Sequence, residues 1–206
     1  MAENVRFGRN DEVQGPQFFV KEVAVRLNNA RLLWGEIQLR SLLLREGNLT
    51  WPLEEPNQPS QQIRVDDILT ELRFLPNDQV ELDAFQASWL SAKIKLSGTL
   101  TNASLLWSWK MGSQSDQLAR SPQLRQFLST FERIQFPEPP EIKIQARVNG
   151  RQMQAFSADV FAYSTGASTP WGTAGDLLMT GRWLPLSGTN TAAHVQVNLR
   201  ATAFDS

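Results

Sequence analysis

The chain has 206 residues, 41% of them hydrophobic and 20% charged, with a formal net charge of −1. That balance suits a folded globular domain and argues against disorder. It supplies no basic excess for binding nucleic acid or acidic lipid surfaces. Cysteine is absent, so disulfides, thiolate metal sites and cysteine nucleophiles are excluded.

The first 17 residues are polar and have no apolar centre of the kind a signal peptide needs. Residues 18–206 read as one β-rich domain, which a fragment of a longer repeat protein would also explain. No apolar run approaches the ~20 residues of a membrane span. Leu42-Leu43-Leu44 is stopped at once by Arg45 and Glu46.

A period of two dominates from the start. Val23, Val25 and Leu27 alternate with polar residues, as do Ile37 with Leu39 and Ile94 with Leu96. Asn28-Asn29 and Gly47-Asn48 read as turns. Val65, Ile68, Leu69 and Leu72 have helical spacing, but Thr70, Leu72 and Phe74 alternate, which favours a strand in the second half. Pro76-Asn77-Asp78 separates Leu72 and Phe74 from Val80 and Leu82 and reads as a hairpin turn. Linkers are expected at Pro52–Gln62, Met111–Arg120 and Gly166–Gly175.

One amphipathic helix is expected near 122–134. Ser121 is a suitable N-cap and Pro122 suits the first turn. Leu124, Phe127, Leu128, Phe131 and Ile134 follow at helical spacing, and Pro137, Pro139 and Pro140 end it. Ile142, Ile144, Ala146 and Val148 form a further strand. Asn149-Gly150 predicts a two-residue turn after it, which would pair Val148 with Arg151 and Ala146 with Met153. The last strand carries Val195, Val197, Leu199, Ala201 and Ala203 on one face. The expected fold is mainly β: a curved antiparallel sheet with an open groove or sandwich-like layering.

Chemistry-bearing groups are sparse. His194 is the only histidine, so neither a zinc site nor a Ser-His-Asp arrangement has a second imidazole or thiolate to build on. Glu54-Glu55, Asp66-Asp67 and Glu138 with Glu141 are carboxylate pairs, a minimum for acid–base hydrolysis, but they sit beside prolines or polar stretches where solvated charges are common. No Gly-rich phosphate loop occurs. The triplets Asn48-Leu-Thr50 and Asn102-Ala-Ser104 match glycosylation sequons and read more simply as turn and strand-end residues. The expectation is a chain that is not an enzyme and needs no cofactor and no metal.

Seven tryptophans stand out: Trp34, Trp51, Trp89, Trp107, Trp109, Trp171 and Trp183. Core and edge packing accounts for flat rings in a β fold. Rings left exposed would line a ligand surface. Trp107 and Trp109 are expected on one face of a strand, and Trp171, between Pro170 and Gly172, is expected in an exposed loop. These three are the candidate ligand-binding residues.

The segment Val80-Glu-Leu-Asp-Ala-Phe-Gln-Ala-Ser-Trp-Leu-Ser-Ala-Lys-Ile-Lys-Leu-Ser-Gly-Thr-Leu-Thr-Asn-Ala-Ser104 is a strand, a brief reversal and a second strand ending in Ser-Gly-Thr-Leu-Thr-Asn. It resembles the repeating unit of AsmA-like and TamB-like bacterial envelope proteins. Ile37-Gln-Leu-Arg-Ser-Leu-Leu-Leu-Arg-Glu-Gly-Asn-Leu-Thr-Trp-Pro52 is similar in rhythm. The resemblance covers about residues 18–110 and fades to strand pattern alone from 140 to 204. It implies a long twisted sheet folded into a groove, lipid acyl chains and envelope proteins as partners, a periplasmic location and a parent protein anchored in the inner membrane. About a dozen strands at ~4.8 Å spacing would give a groove of roughly 50–60 Å. The other reading the residues allow is a carbohydrate- or protein-binding β-sandwich that uses exposed Trp107, Trp109 and Trp171.

Overall fold

The computed structural model describes residues 2–7, 17–52, 62–108, 126, 129–151, 156–185 and 193–205. The side chains at 7, 106–108, 185, 193–194 and 203–205 lie outside that description. Eleven strands form one open sheet: β1 (Ala2–Phe7), β2 (Gln17–Leu27), β3 (Leu39–Pro52), β4 (Gln62–Leu75), β5 (Gln79–Trp89), β6 (Ala92–Thr101), β7 (Glu141–Asn149), β8 (Ser157–Thr169), β9 (Gly172–Pro185), β10 (Ala193–Arg200) and β11 (Ala203–Asp205). Strands β1 to β10 lie side by side in chain order, and β11 pairs β9 beyond the end of β10. A four-residue helix, α1 (Asn29–Leu32), sits between β2 and β3. The expected mainly β, curved-sheet class is what the chain adopts. The described strands form a single open sheet.

Short connections make neighbouring strands antiparallel. The hairpin expected at Pro76-Asn77-Asp78 is formed, and in it Leu72 pairs with Leu82 and Phe74 with Val80. Asn77 and Asp78 take φ of 62° and 57°, a region their short polar side chains tolerate. The β5–β6 turn is tighter. Leu90 and Ser91 alone join Trp89 to its partner Ala92, with φ of 46° and 67°.

One pair breaks the antiparallel pattern. Strands β6 and β7 run parallel over nine matched residues, from Lys93 with Glu141 to Thr101 with Asn149. The chain between them must return from the end of β6 to the level where β6 began. At the far end, the Lys93 N–H donates to the Pro140 carbonyl at 2.8 Å. At the near end, the Gly150 N–H donates to the Thr101 carbonyl at 2.8 Å and the Asn102 amide donates to Asn149 Oδ1 at 2.8 Å.

This seam corrects the expected Asn149-Gly150 turn. Ala146 pairs with Ala158 and Ile144 with Val160, so the chain between β7 and β8 is longer than two residues. Gly150 is needed for close approach: a Cβ there would stand 2.1 Å from the Asn102 carbonyl oxygen. Gly98, midway along the seam, is constrained alike, with 2.3 Å to the Ala146 carbonyl oxygen.

Three further expectations are corrected. Gly47-Asn48 is not a turn. It lies inside β3, beside a bulge where Glu46 takes a φ of 50°. The helical spacing of Val65 and Ile68 arises from a second bulge in β4, where Asp67 has a φ of 55°. The extra residue lets both apolar side chains belong to one face of the strand. Gly166–Gly175 is not a loop. Strands β8 and β9 fill it, apart from the Pro170-Trp171 turn.

Of the helix expected near 122–134, Gln126 and Ser129–Phe131 are helical, and the Thr130 hydroxyl donates to the Gln126 carbonyl at 2.8 Å. Residues 121–125 and 127–128 lie outside the described residues. Phe131 stacks on Trp89 with centroids 6.1 Å apart, and Phe136 packs on Phe131 at 5.6 Å. The turn therefore covers the end of β5.

The core is small. Among the described residues, the buried hydrophobics are Val20, Ile68, Ala87, Ala92, Ala103 and Ala167. Trp51, Ile63, Trp89 and Leu90 are partly buried around them. The accessible surface is 14930 Å². A compact monomer of this mass exposes roughly 9,700 Å².

Two expected outcomes follow from the turns and the seam. Ser91→Gly relieves a left-handed serine and should stabilise the chain by about 0.5–1 kcal/mol in urea denaturation. Gly150→Ala should destabilise by about 2 kcal/mol or more, because the added methyl group meets backbone. Gly181→Ala is the matched control, since its Cβ would sit an ordinary 3.6 Å from Val160.

Candidate functional site: two faces of one sheet

From the Phe85–Leu96 pair to β10 the register runs without a shift, so alternate residues can be assigned to faces across six strands. One face carries apolar rows. Ala87, Ile94, Ile142, Ala162, Met179 and Leu199 form one. Phe85, Leu96, Ile144, Val160, Gly181 and Val197 form the next. Most of these side chains are half-buried, with no second sheet over them among the described residues. At the sheet edge Val195, Val197 and Leu199 are 52%, 57% and 69% exposed.

The opposite face is polar and cross-linked by charge. Glu141 on β7 pairs with Lys95 on β6 and stands 3.6 Å from Lys143. Arg182 on β9 meets Asp159 on β8 at 2.7 Å, and Arg73 on β4 meets Asp83 on β5 at 2.6 Å. The hydrogen bond from Lys95 holds the Glu141 carboxyl below the usual carboxylate range, with Lys143 adding to the effect. Lys21 on β2 is shifted upward by its hydrogen bond to Glu46 on β3, 2.6 Å away. These side chains are largely exposed, and such pairs contribute little stability each.

A trough of about 740 Å³ opens on this polar face. Its walls are two rows. Gln86, Lys95, Lys143, Phe161, Thr180 and Asn198 form one. Ser97, Gln145, Asp159, Arg182 and Gln196 form the other, with Asp83 and Ala84 at its β5 end. Phe85, Leu96, Ile144, Val160 and Gly181, which lie between the rows, form its floor. The Lys143 ammonium lies over the Phe161 ring, 5.7 Å from its centroid. Sequence reasoning missed this site. Its two walls draw on six strands whose order had to be known first, though the alternating polar residues of each strand were visible.

The expected ligand-binding tryptophans are not brought together by any described contact. Trp171 is 65% exposed at the tip of the β8–β9 turn, as expected. Trp107 lies in a 3-10 segment, Ala103–Ser108, and not in a strand, because the chain leaves the sheet after Thr101. The Trp107 side chain and all of Trp109 are outside the described residues. Trp183 stacks on Phe156 with centroids 5.1 Å apart, and Trp34 is exposed beyond α1.

The carboxylate pairs have structural surroundings. Asp66 accepts from Arg64 at 2.9 Å, Asp67 forms the β4 bulge, and Glu141 is held by lysines. Glu54-Glu55 lies outside the described residues, as does the His194 side chain. No group of three or more His, Asp or Glu side chains that could hold a metal occurs among the described residues. No described helix is long and apolar enough to cross a membrane.

Comparison with protein-family models, with curated proteins and with solved structures gives no match.

Replacing the charge at the centre of the polar face gives a pH-dependent outcome. The Glu141 carboxyl titrates below its usual range, so its pairing stabilises the fold at neutral pH and is lost as pH falls through that range. Glu141→Gln should cost no more than about 1 kcal/mol at pH 7. The difference from the parent chain should vanish in acid, as measured by thermal unfolding against pH.

Proposed function

We propose that this chain is a non-catalytic, lipid-handling segment of an envelope protein, in which the apolar face of the sheet lies against acyl chains. One observation carries the reading: rows of apolar side chains cross six strands and remain half-exposed, with no second sheet over them among the described residues. Leaving that much apolar surface in water is unfavourable by about 25 cal/mol per Å². An acyl chain meets it without needing any hydrogen bond, and the sheet satisfies its own backbone groups by strand pairing. The salt-bridged opposite face is suited to water.

The resemblance of residues 18–110 to AsmA-like and TamB-like repeats supports the same reading. It adds a periplasmic setting, a role in outer-membrane biogenesis, and a parent protein anchored in the inner membrane. Envelope proteins are the partners that setting offers.

The test is native mass spectrometry of the protein purified without detergent, together with extraction and identification of bound lipid. Phospholipid is expected to copurify. Val197→Asp with Leu199→Asp places two charges on exposed positions of the apolar face, where the fold tolerates them, and should reduce bound lipid by about tenfold. A lipid-free parent protein, or equal lipid on parent and variant, overturns the reading.

A further inference from the structure

The polar trough has its own chemistry, and that chemistry does not depend on the lipid reading. Every charged group in its walls already has a partner: Lys95 and Lys143 with Glu141, Arg182 with Asp159, Asp83 with Arg73. Each cation is thus engaged with a carboxylate, with Lys95 and Lys143 sharing the single charge of Glu141 so that one positive charge is in excess at that end. What remains open is neutral. Gln86, Gln145, Gln196 and Asn198 make no side-chain hydrogen bond within the described protein.

A carboxamide offers two donors and an acceptor at once. Four of them along one groove present alternating donors and acceptors, the pattern that vicinal hydroxyl groups complement. Phe161 adds a ring, 38% exposed, in the wall beside them. Tyr163, two residues along the same strand and 39% exposed, lies on the same face. Aromatic rings pack against the C–H faces of sugars, where charged or purely apolar ligands gain less from this combination. The volume falls within the ordinary range for a ligand site. The trough crosses from β5 to β10, five strand spacings or roughly 24 Å, so it suits a chain of sugar units more than a single one.

We infer that the polar face of β5–β10 binds a neutral oligosaccharide, held by the carboxamides of Gln145, Gln196 and Asn198 and by the Phe161 ring. The site faces away from the apolar rows, so one ligand cannot occupy both.

The experiment is isothermal titration of the full chain with maltotetraose, cellotetraose and chitotetraose at millimolar concentrations, with dextran sulfate as the anionic probe. At least one neutral tetrasaccharide should bind. Phe161→Ala should weaken it about tenfold, and Gln145→Ala with Gln196→Ala should abolish detectable binding. All of these positions are on the wet face, and unchanged unfolding temperatures confirm folding. Val197→Asp with Leu199→Asp should leave sugar binding intact, which separates this site from the lipid face. Absence of binding to all three sugars, unaltered affinity in the variants, or binding of dextran sulfate alone overturns the inference.

Discussion

Backbone pairing between neighbouring strands is what the whole molecule depends on. In a two-layer fold each sheet buries its apolar face against the other, and packing supplies most of the stabilisation. Here the fully buried hydrophobics among the described residues are two branched aliphatics, Val20 and Ile68, and four alanines. Such small side chains cannot anchor eleven strands. The ladder itself holds the strands, and each inner strand is fixed from both sides. Sidedness then follows from the pleat: once the register is set, every apolar residue on one strand falls in line with its neighbours.

The parallel seam between β6 and β7 is where this order is most constrained. A purely antiparallel meander needs only short turns, whereas a parallel pair needs the chain to travel back across the sheet. Glycine stands at both Gly98 and Gly150 because the neighbouring backbone leaves no room for a Cβ. Asn102, Asn149 and Pro140 tie the two ends of the seam. The seam keeps Lys95 beside Lys143 and Leu96 beside Ile144. Both faces therefore continue across it without a break, and neither the apolar rows nor the polar trough would exist if the register slipped by one residue.

Much of this was legible locally. Alternation marks the strands, and the Pro76-Asn77-Asp78 hairpin is legible because both arms are adjacent in sequence and the turn residues accept positive φ. The failures share a cause. Glu46 and Asp67 are ordinary charged residues in left-handed conformations, and nothing in their chemistry announces a bulge. Val65 and Ile68 consequently mimic a helix, and Gly47 mimics a turn. Asn149-Gly150 has the composition of a tight turn, yet β6, almost fifty residues earlier, captures it as the end of a parallel ladder. Local propensity lost to a distant strand. The trough was hidden for the same reason: Lys95, Gln145, Phe161, Arg182 and Gln196 are scattered over about a hundred residues and meet only through register.

The two faces divide the chemistry available to the chain. On the polar face, exposed ion pairs add little stability, but they fix which side chains are left free. Glu141 engages two lysines and Asp159 engages Arg182, and the carboxamides between them are uncommitted hydrogen-bonding groups. On the apolar face nothing is directional. Val195, Val197 and Leu199 are more exposed than their counterparts on inner strands because β10 is the edge of the sheet among the described strands. A sheet of this kind can select one ligand by hydrogen-bond pattern and hold another by contact area alone. The pleat sends successive side chains to opposite faces, so the two sites lie a single strand thickness apart.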